Sequence, residues 1–172
     1  MMNPRFMFSV LFFCSLVVPP TLYASEEVWH HMNEEVANLY RQGDIENAVH
    51  LAEESLHYSK TNFGPEHLNT AKALNNLANL YFRNSRFDEA EWMYEDAIRL
   101  EEKTLGLDSL EVADSLYNFA MLDLYRKQTA KARTKLEKAL AIRKKQAQPD
   151  AAAIARLESA LKPLQEAESP KP

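Results

Sequence analysis

A repeat of 42 residues is the feature that most limits what this chain can fold into. The positions that share this offset carry small, apolar or amide side chains: Ala48, Ala90 and Ala132; Ser55, Ala97 and Ala139; Gly64 and Gly106; Ala71 and Ala113; Leu74 and Leu116; Asn76 and Asn118; Ala78 and Ala120. A repeat of this length indicates stacked supersecondary units, each of which buries its apolar face against its neighbours.

Within one unit the apolar residues recur with the period of a helix. The first set follows the i, i+3, i+4, i+7 pattern and consists of Leu74, Leu77, Ala78 and Tyr81. After the polar segment 84–86 a second helical set begins, made up of Phe87, Ala90, Tyr94, Ala97 and Ile98. Because the small residues let two helices approach closely, each unit is predicted to be an antiparallel helix pair. With only three glycines among its 172 residues, the chain is poorly suited to a fold rich in tight hairpins.

These residues resemble the tetratricopeptide repeat, in the 42-residue variant familiar from kinesin light chains. The similarity is carried by Leu77-Ala78, Tyr81, Ala90, Tyr94 and Ala97, and by the 75–78 segment Asn-Asn-Leu-Ala. It implies an all-α, right-handed helix-turn-helix solenoid. We expect one domain over about 25–167, with repeats near 29–65, 66–107 and 108–148 and a capping helix at 150–166. The last residues, 168–172, are expected to be disordered.

The three repeats are not equal in sequence. Ala37 and Tyr40 of repeat 1 align with Ala78 and Tyr81 of repeat 2, which predicts a connection one residue shorter between the helices of repeat 1. In repeat 3, Asp123 stands where repeat 2 has Tyr81. Departures of this kind are expected in repeats that have a neighbour on one side only.

The first 24 residues have the parts of a secretory signal peptide. Arg5 is the one charge, an apolar run covers 6–18, a proline pair follows, and Ala24 is the small residue at the expected cleavage site. The apolar run is shorter than the roughly 20 residues that cross a bilayer. We therefore expect export to a bacterial periplasm or to the medium. Leu22 at the −3 position is an imperfect fit, and retention as an anchor, with membrane contact, is the alternative.

The sequence contains no recognisable catalytic, cofactor or metal motif. There is no phosphate-binding glycine loop and no H-E-x-x-H, and the one cysteine, Cys14, lies in the signal segment. The net charge of −5, without a long basic stripe, argues against nucleic-acid binding. We expect neither an enzyme nor a cofactor, and no small-molecule substrate.

The function class that these exclusions leave is the binding of a protein or peptide partner on the surface of the solenoid. In tetratricopeptide domains the first helix of each repeat lines a concave groove. By resemblance, the groove residues are Glu34 and Asn38 in repeat 1, Lys72, Asn75, Asn79 and Arg83 in repeat 2, and Asp114, Tyr117, Met121 and Tyr125 in repeat 3. Asparagine amides both donate to and accept from a peptide backbone, and the aromatic and methionine side chains add apolar contact.

The charges of this predicted groove bear on the kind of partner. Glu34 and Asp114 occupy places where a clamp for a C-terminal carboxylate needs cations, so partners of basic or mixed apolar character are expected. Two other functions stay open. The solenoid could be a self-associating assembly component, or, as the less favoured alternative, an enzyme or a metal-binding protein.

Overall fold

The computed structural model describes residues 20–166, with side chains from Ser25 onward, and it is helical throughout this range. Its helices are α1 (Pro20–Gln42), α2 (Ile45–Asn62), α3 (Leu68–Arg83), α4 (Phe87–Leu105), α5 (Leu110–Tyr125), α6 (Thr129–Lys144) and α7 (Ala151–Glu166). Successive helices pack against each other along the chain. The predicted all-α solenoid of helix pairs is confirmed. Of the predicted signal peptide only 20–24 fall in this range, where they begin α1; the predicted disordered tail lies outside it.

Alanine at the crossing points explains how closely the helices pair. Ala78 of α3 and both Ala90 and Ala97 of α4 are completely buried. The same holds one repeat later for Ala120 and Ala132. A methyl side chain at a crossing lets two helices pack near the short end of the usual 8–10 Å range, so larger residues beside it can interlock.

The turns inside the three helix pairs have one geometry. In each, a residue of positive φ precedes the start of the second helix: Gly43 at 82°, Ser85 at 62° and Lys127 at 60°. The next backbone N–H then bonds back to a carbonyl five residues earlier in the chain, over 3.0, 2.8 and 2.8 Å. These turns therefore have equal length, and the 42-residue offset continues through the first pair.

The expected shortening of repeat 1 is thus wrong, and this changes the register of α1. Asp44 bonds to the carbonyl of Leu39, just as Arg86 bonds to that of Tyr81. Leu39, rather than Tyr40, therefore corresponds to Tyr81. A shift of one residue turns a helix face by about 100°. The α1 residues that correspond to the groove residues of α3 are therefore not the ones that the sequence alignment indicated.

The two ends of the stack are closed in different ways. On α1, the positions His31, Glu35 and Asn38 correspond to Ala73, Leu77 and Leu80 of α3, which are buried. Polar residues on this outer side suit a helix that packs, among the described elements, mainly against α2.

At the other end, α7 packs against α6. Leu157, Leu161 and Leu164 are buried there. Asp150 caps the helix, because its Oδ1 accepts from the N–H groups of Ala152 at 2.9 Å and Ala153 at 3.1 Å. The apolar face of the last repeat is therefore covered within the chain.

Repeat 3 replaces a buried tyrosine with a buried ion pair. Asp123, 1% exposed, accepts from Lys135 Nζ of α6 at 2.6 Å. The same Nζ lies 3.9 Å from the centre of the Phe119 ring. Pairing and ring contact offset part of the cost of burying these charges. Removing either partner alone would leave the other uncompensated.

Candidate peptide-binding groove

An open cavity of about 330 Å³ lies between the first helices of repeats 1 and 2. Its volume is at the lower end of the range typical of ligand sites. The walls combine amides, one arginine, one tyrosine and apolar side chains: Asn33, Val36, Ala37 and Tyr40 of α1, and Asn76, Asn79, Leu80 and Arg83 of α3. Because both walls come from first helices of their repeats, the cavity is part of the groove side of the solenoid.

Hydrogen bonds to the core hold the amides of this cavity in place. Asn33 Nδ2 donates to the Trp29 carbonyl at 2.6 Å and to Ser55 Oγ at 3.2 Å, while Asn33 Oδ1 accepts from Asn76 Nδ2 at 3.2 Å. On α3, Asn79 Oδ1 accepts from the Tyr94 hydroxyl at 2.7 Å. The bond from Tyr94 leaves the Asn79 Nδ2 as a donor with no partner among residues 25–166.

One amide oxygen on the same helix is buried without a partner. Asn75 Oδ1, one turn before Asn79 on α3, accepts no hydrogen bond from any residue whose side chain the structure describes. Buried acceptors are nearly always paired, because an unpaired one loses its hydration without compensation. Because this oxygen is shielded from solvent and Asn75, although predicted for the groove, does not line the cavity, the polar groups of α3 that a peptide can reach there are those of Asn76, Asn79 and Arg83.

The groove carries cations that the chain does not neutralise. Within the described part of the chain, no carboxylate forms an ion pair with Arg83, whose guanidinium lies 5.9 Å from the Phe82 ring centre. Lys72, exposed near the start of α3, has no ion pair in this range either. Arg41 bonds to the carbonyl of Ala37 and to the Asn38 amide rather than to a carboxylate.

The acidic residues predicted for the groove do not balance these cations. Asp114 forms an ion pair with Arg143 of α6. Glu34 is exposed but does not line the cavity, and Asn38 does not line it either. In the register set by the turn, Asn33, Ala37 and Tyr40 hold the positions of α1 that correspond to Asn75, Asn79 and Phe82. The equal offset of Ala48 and Ala90 was the sequence signal for this register.

The other predicted residues extend the surface along α3 and α5. Tyr125 is 62% exposed and packs its ring against Phe82 at 5.6 Å and Phe87 at 4.9 Å, measured between ring centres. Met121 is half-buried on the same helix. Tyr117 lies near α7, whose Arg156 is 6.0 Å from its ring centre. Asp114 also borders α7, so the capping helix flanks the N-terminal end of the α5 surface.

A buried carboxyl group lies beneath this surface at the contact between α4 and α5. Glu101 is 2% exposed; its Oε1 accepts from Ser115 Oγ at 3.0 Å and its Oε2 has no partner in the described range. Burial raises the pKa of Glu101 from 4.5 to about 7. The Ser115 hydroxyl opposes this rise, Glu111 and Asp114 add to it, and Lys72 opposes it.

Residues 20–166 contain neither a metal-binding cluster nor a membrane-spanning helix. No group of three or more histidine and acidic side chains there is arranged to hold a metal ion. No helix in the same range is long and apolar enough to span a membrane. His50 and Glu54, the nearest approach of a histidine to a carboxylate, lie 3.6 Å apart on the exposed side of α2.

The chain is similar to proteins of known structure and to one family model. BtubC (BKLC) from P. vanneervenii superposes with a TM-score of 0.70 at 23% identity, over 84% of this chain and 61% of BtubC. A putative kinesin light chain from Podosopora anserina, with nearly identical TPR-like repeats, gives 0.68 and 23%, over 80% of this chain and 69% of that one. At this identity the likeness concerns the fold, and the chain spans less than two thirds of BtubC.

Sequence comparison identifies the repeat itself. No curated protein sequence matches the chain. The family model of the tetratricopeptide repeat matches twice, over residues 31–102 and 71–145, and these two overlapping matches cover all three helix pairs. The chain belongs to the tetratricopeptide repeat family.

Proposed function

We propose that this protein is an exported adaptor whose groove binds an extended, acidic segment of a partner protein. The repeat fold supports protein–protein interaction in general. The observation that carries the finer proposal is the open cavity between α1 and α3. Its amides are held by hydrogen bonds to the core and lie beside Arg83, which has no carboxylate partner among residues 25–166. No catalytic role is part of the proposal, and the repeat scaffold is typically non-enzymatic.

The charge balance of the groove favours acidic partners over the basic ones expected from the sequence. That expectation depended on Glu34 and Asp114. Glu34 is not part of the cavity wall, and Asp114 is already paired with Arg143. Arg83 lines the cavity, whereas Lys72, predicted for the groove, is exposed nearer the start of α3 and does not line it. A carboxylate that approaches the Arg83 guanidinium forms a charge-assisted hydrogen bond, which is about twice as strong as a neutral one. Apolar side chains of the partner would pack on the ring group formed by Phe82, Phe87 and Tyr125.

Charge reversal at Arg83 is expected to weaken binding of acidic peptides at least tenfold. The probes are two fluorescent peptide pools of equal length and equal aromatic content, one rich in Asp and Glu and the other rich in Lys. Titration by fluorescence anisotropy should show the acidic pool bound by the wild type and the Arg83→Glu variant at least tenfold weaker, a loss of about 1.4 kcal/mol. Raising the salt concentration should weaken the wild-type complex as well.

Lys162→Glu, on the exposed side of α7, makes the same change of net charge away from the groove. It should leave the affinity for the acidic pool unchanged. Equal losses in the two variants, or tighter binding of the Lys-rich pool, would exclude the acidic-segment proposal.

Export rests on the N-terminal sequence, and the proposed cleavage has a structural consequence. Cutting after Ala24 would remove the first five residues of α1 and make Ser25 its start, four residues before the buried Trp29. We expect protein recovered from the exported fraction to begin at Ser25 when its N-terminus is sequenced. A chain that still begins at Met1 and stays with the membrane fraction would contradict cleavage and support the anchor alternative.

A further inference from the structure

The most exposed aromatic residue of the described range is on the side of the solenoid away from the groove. Trp92 of α4 is 68% exposed, whereas Trp29 is buried. Tyr94, two residues later, faces α3, since its hydroxyl bonds to Asn79. Two residues of a helix are about 200° apart around the axis, so Trp92 faces away from α3 and the groove. A large exposed aromatic side chain of this kind is a common anchor of protein interfaces.

Charged residues on the same side of α4 are ordered along its length. Residues three or four positions apart form an exposed stripe, which we call the α4 stripe: Asp88, Trp92, Asp96, Arg99 and Lys103. Its N-terminal half is acidic, although Asp88 is bonded to Arg126 just after α5, and its C-terminal half is basic. Within the chain, Arg99 pairs with Asp96 at 2.6 Å and Lys103 with Glu66 at 2.5 Å, both in exposed positions. Exposed pairs of this kind are worth little, so they are readily exchanged for others.

We propose that the α4 stripe is the docking surface for a second copy of this chain, with the two α4 helices antiparallel. An antiparallel arrangement about a twofold axis near residues 97 and 98 places Asp96 of each copy opposite Arg99 of the other. The same arrangement places Trp92 opposite Lys103 of the second copy. The acidic half of each helix thus meets the basic half of its partner, and both contacts occur twice because the interface is isologous.

One apolar residue just beyond α4 extends this interface. Leu107 is 62% exposed and follows Lys103 by about one turn. In the antiparallel arrangement it comes opposite Asp88 of the second copy, one turn from Trp92 of that copy, and would cover apolar surface beside the indole. The cation of Lys103 opposite the indole adds a cation–π contact. One helix pair buries less than the roughly 800 Å² per partner of a standard interface, so we expect a dimer with a dissociation constant in the micromolar range or above.

The dimer would leave both grooves free, because the α4 stripe and the groove are on opposite sides of the helix pair. Two grooves in one particle would bind a partner with two matching segments more tightly than either groove alone. The proposal is independent of the chemistry of the groove ligand, and its test requires no ligand.

Sedimentation velocity of the purified protein between about 1 µM and 1 mM tests the interface. The wild-type mass should rise from monomer to dimer with concentration. Asp96→Arg gives each stripe an excess of cations and Arg99→Asp an excess of anions, so each variant alone should dimerise at least tenfold more weakly. Mixed in equal amounts, the two variants should form a heterodimer, because both facing pairs of residues 96 and 99 are then of opposite sign. Trp92→Ala should weaken the dimer at least tenfold as well.

Glu54→Arg provides a matched control. Glu54 is the residue of α2 that corresponds to Asp96 and is likewise exposed. Its reversal should leave the dimer unchanged. A wild type that stays monomeric over the whole range would overturn the proposal. So would a mixture of the Asp96→Arg and Arg99→Asp variants that shows no heterodimer. Recovery of the dimer by mixing would also show that the single variants are folded.

Discussion

Replacing Tyr94 with alanine is expected to lower the free energy of unfolding by about 4 kcal/mol, within the range found when a buried aromatic side chain is removed. Tyr94 has no exposed surface and stacks on Phe119 of α5 with 5.4 Å between ring centres. It therefore holds repeat 2 to repeat 3 as well as α4 to α3. Its removal would leave a cavity where three helices meet. Urea unfolding followed by circular dichroism at neutral pH would measure the change.

Tyr94→Phe separates packing from hydrogen bonding at the same position. The ring stays, but the Asn79 Oδ1 loses its donor, which should cost about 1 kcal/mol. Because this bond fixes the orientation of the Asn79 amide at the cavity, the affinity for the acidic peptide pool should also fall several-fold. A cost below 1 kcal/mol for Tyr94→Ala would contradict its place in the core. An unchanged peptide affinity for Tyr94→Phe would show that peptide binding does not depend on the hydrogen bond from Tyr94 to Asn79.

The fold was predictable because the repeat marks the contacts that determine it. Ala48, Ala90 and Ala132 recur at one offset since each is a site of close helix approach, and all three are completely buried. Part of the cavity wall on α3 was predictable for a similar reason. Once Leu77 and Ala78 are assigned to the core, the helical period places Asn79 and Arg83 together on another side, and both line the cavity, whereas the predicted Lys72 and Asn75 do not.

The register of α1 could be predicted from the equal offset of Ala48 and Ala90, but local sequence similarity indicated a different one. The segments 36–40 and 77–81 share the letters Ala-Asn-Leu-Tyr, and this likeness outweighed the turn that follows them. The structure shows that backbone hydrogen bonds at Gly43 and Ser85 give both turns the same length. The similar segments therefore face different ways, and Asn33, which fills the groove position, was overlooked.

Side-chain surroundings that several helices form together could not be predicted from the sequence either. Glu101 and Glu102 are adjacent glutamates, a pattern typical of a solvated helix face. In the structure Glu101 is buried, while Glu102 reaches Lys138 of α6 at 2.6 Å. The helical period of Ala90, Tyr94 and Ala97 continues to Glu101, but the groups that surround its carboxyl depend on how α5 packs on α4. The sequence likewise placed Trp92 on the second helix of repeat 2 without indicating a role, and its exposure is known only from the structure.

Replacing Glu101 with glutamine is expected to stabilise the protein at pH 8 and to leave its stability nearly unchanged at pH 4.5. The pKa of Glu101 is about 7 in the folded chain and about 4.5 in the unfolded one. Below 4.5 the carboxyl is neutral in both states. Between 4.5 and 7 the unfolded chain releases the proton while the folded chain keeps it, so stability falls as the pH rises. Above 7 the full cost is roughly 3 kcal/mol, at about 1.4 kcal/mol for each pH unit between the two values.

Glutamine does not titrate and can still accept from Ser115, so the variant should keep at pH 8 the stability that the wild type has in acid. Unfolding by urea at pH 4.5, 6 and 8 would show the difference between the two proteins growing with pH. Glu102→Gln, at the adjacent but partly exposed carboxylate, should show no such growth. A constant difference for Glu101→Gln would mean that the carboxyl ionises freely in the folded protein. Growth with pH would locate a proton-dependent contact where α4 meets α5, beneath the groove and next to Lys72 and Asp114.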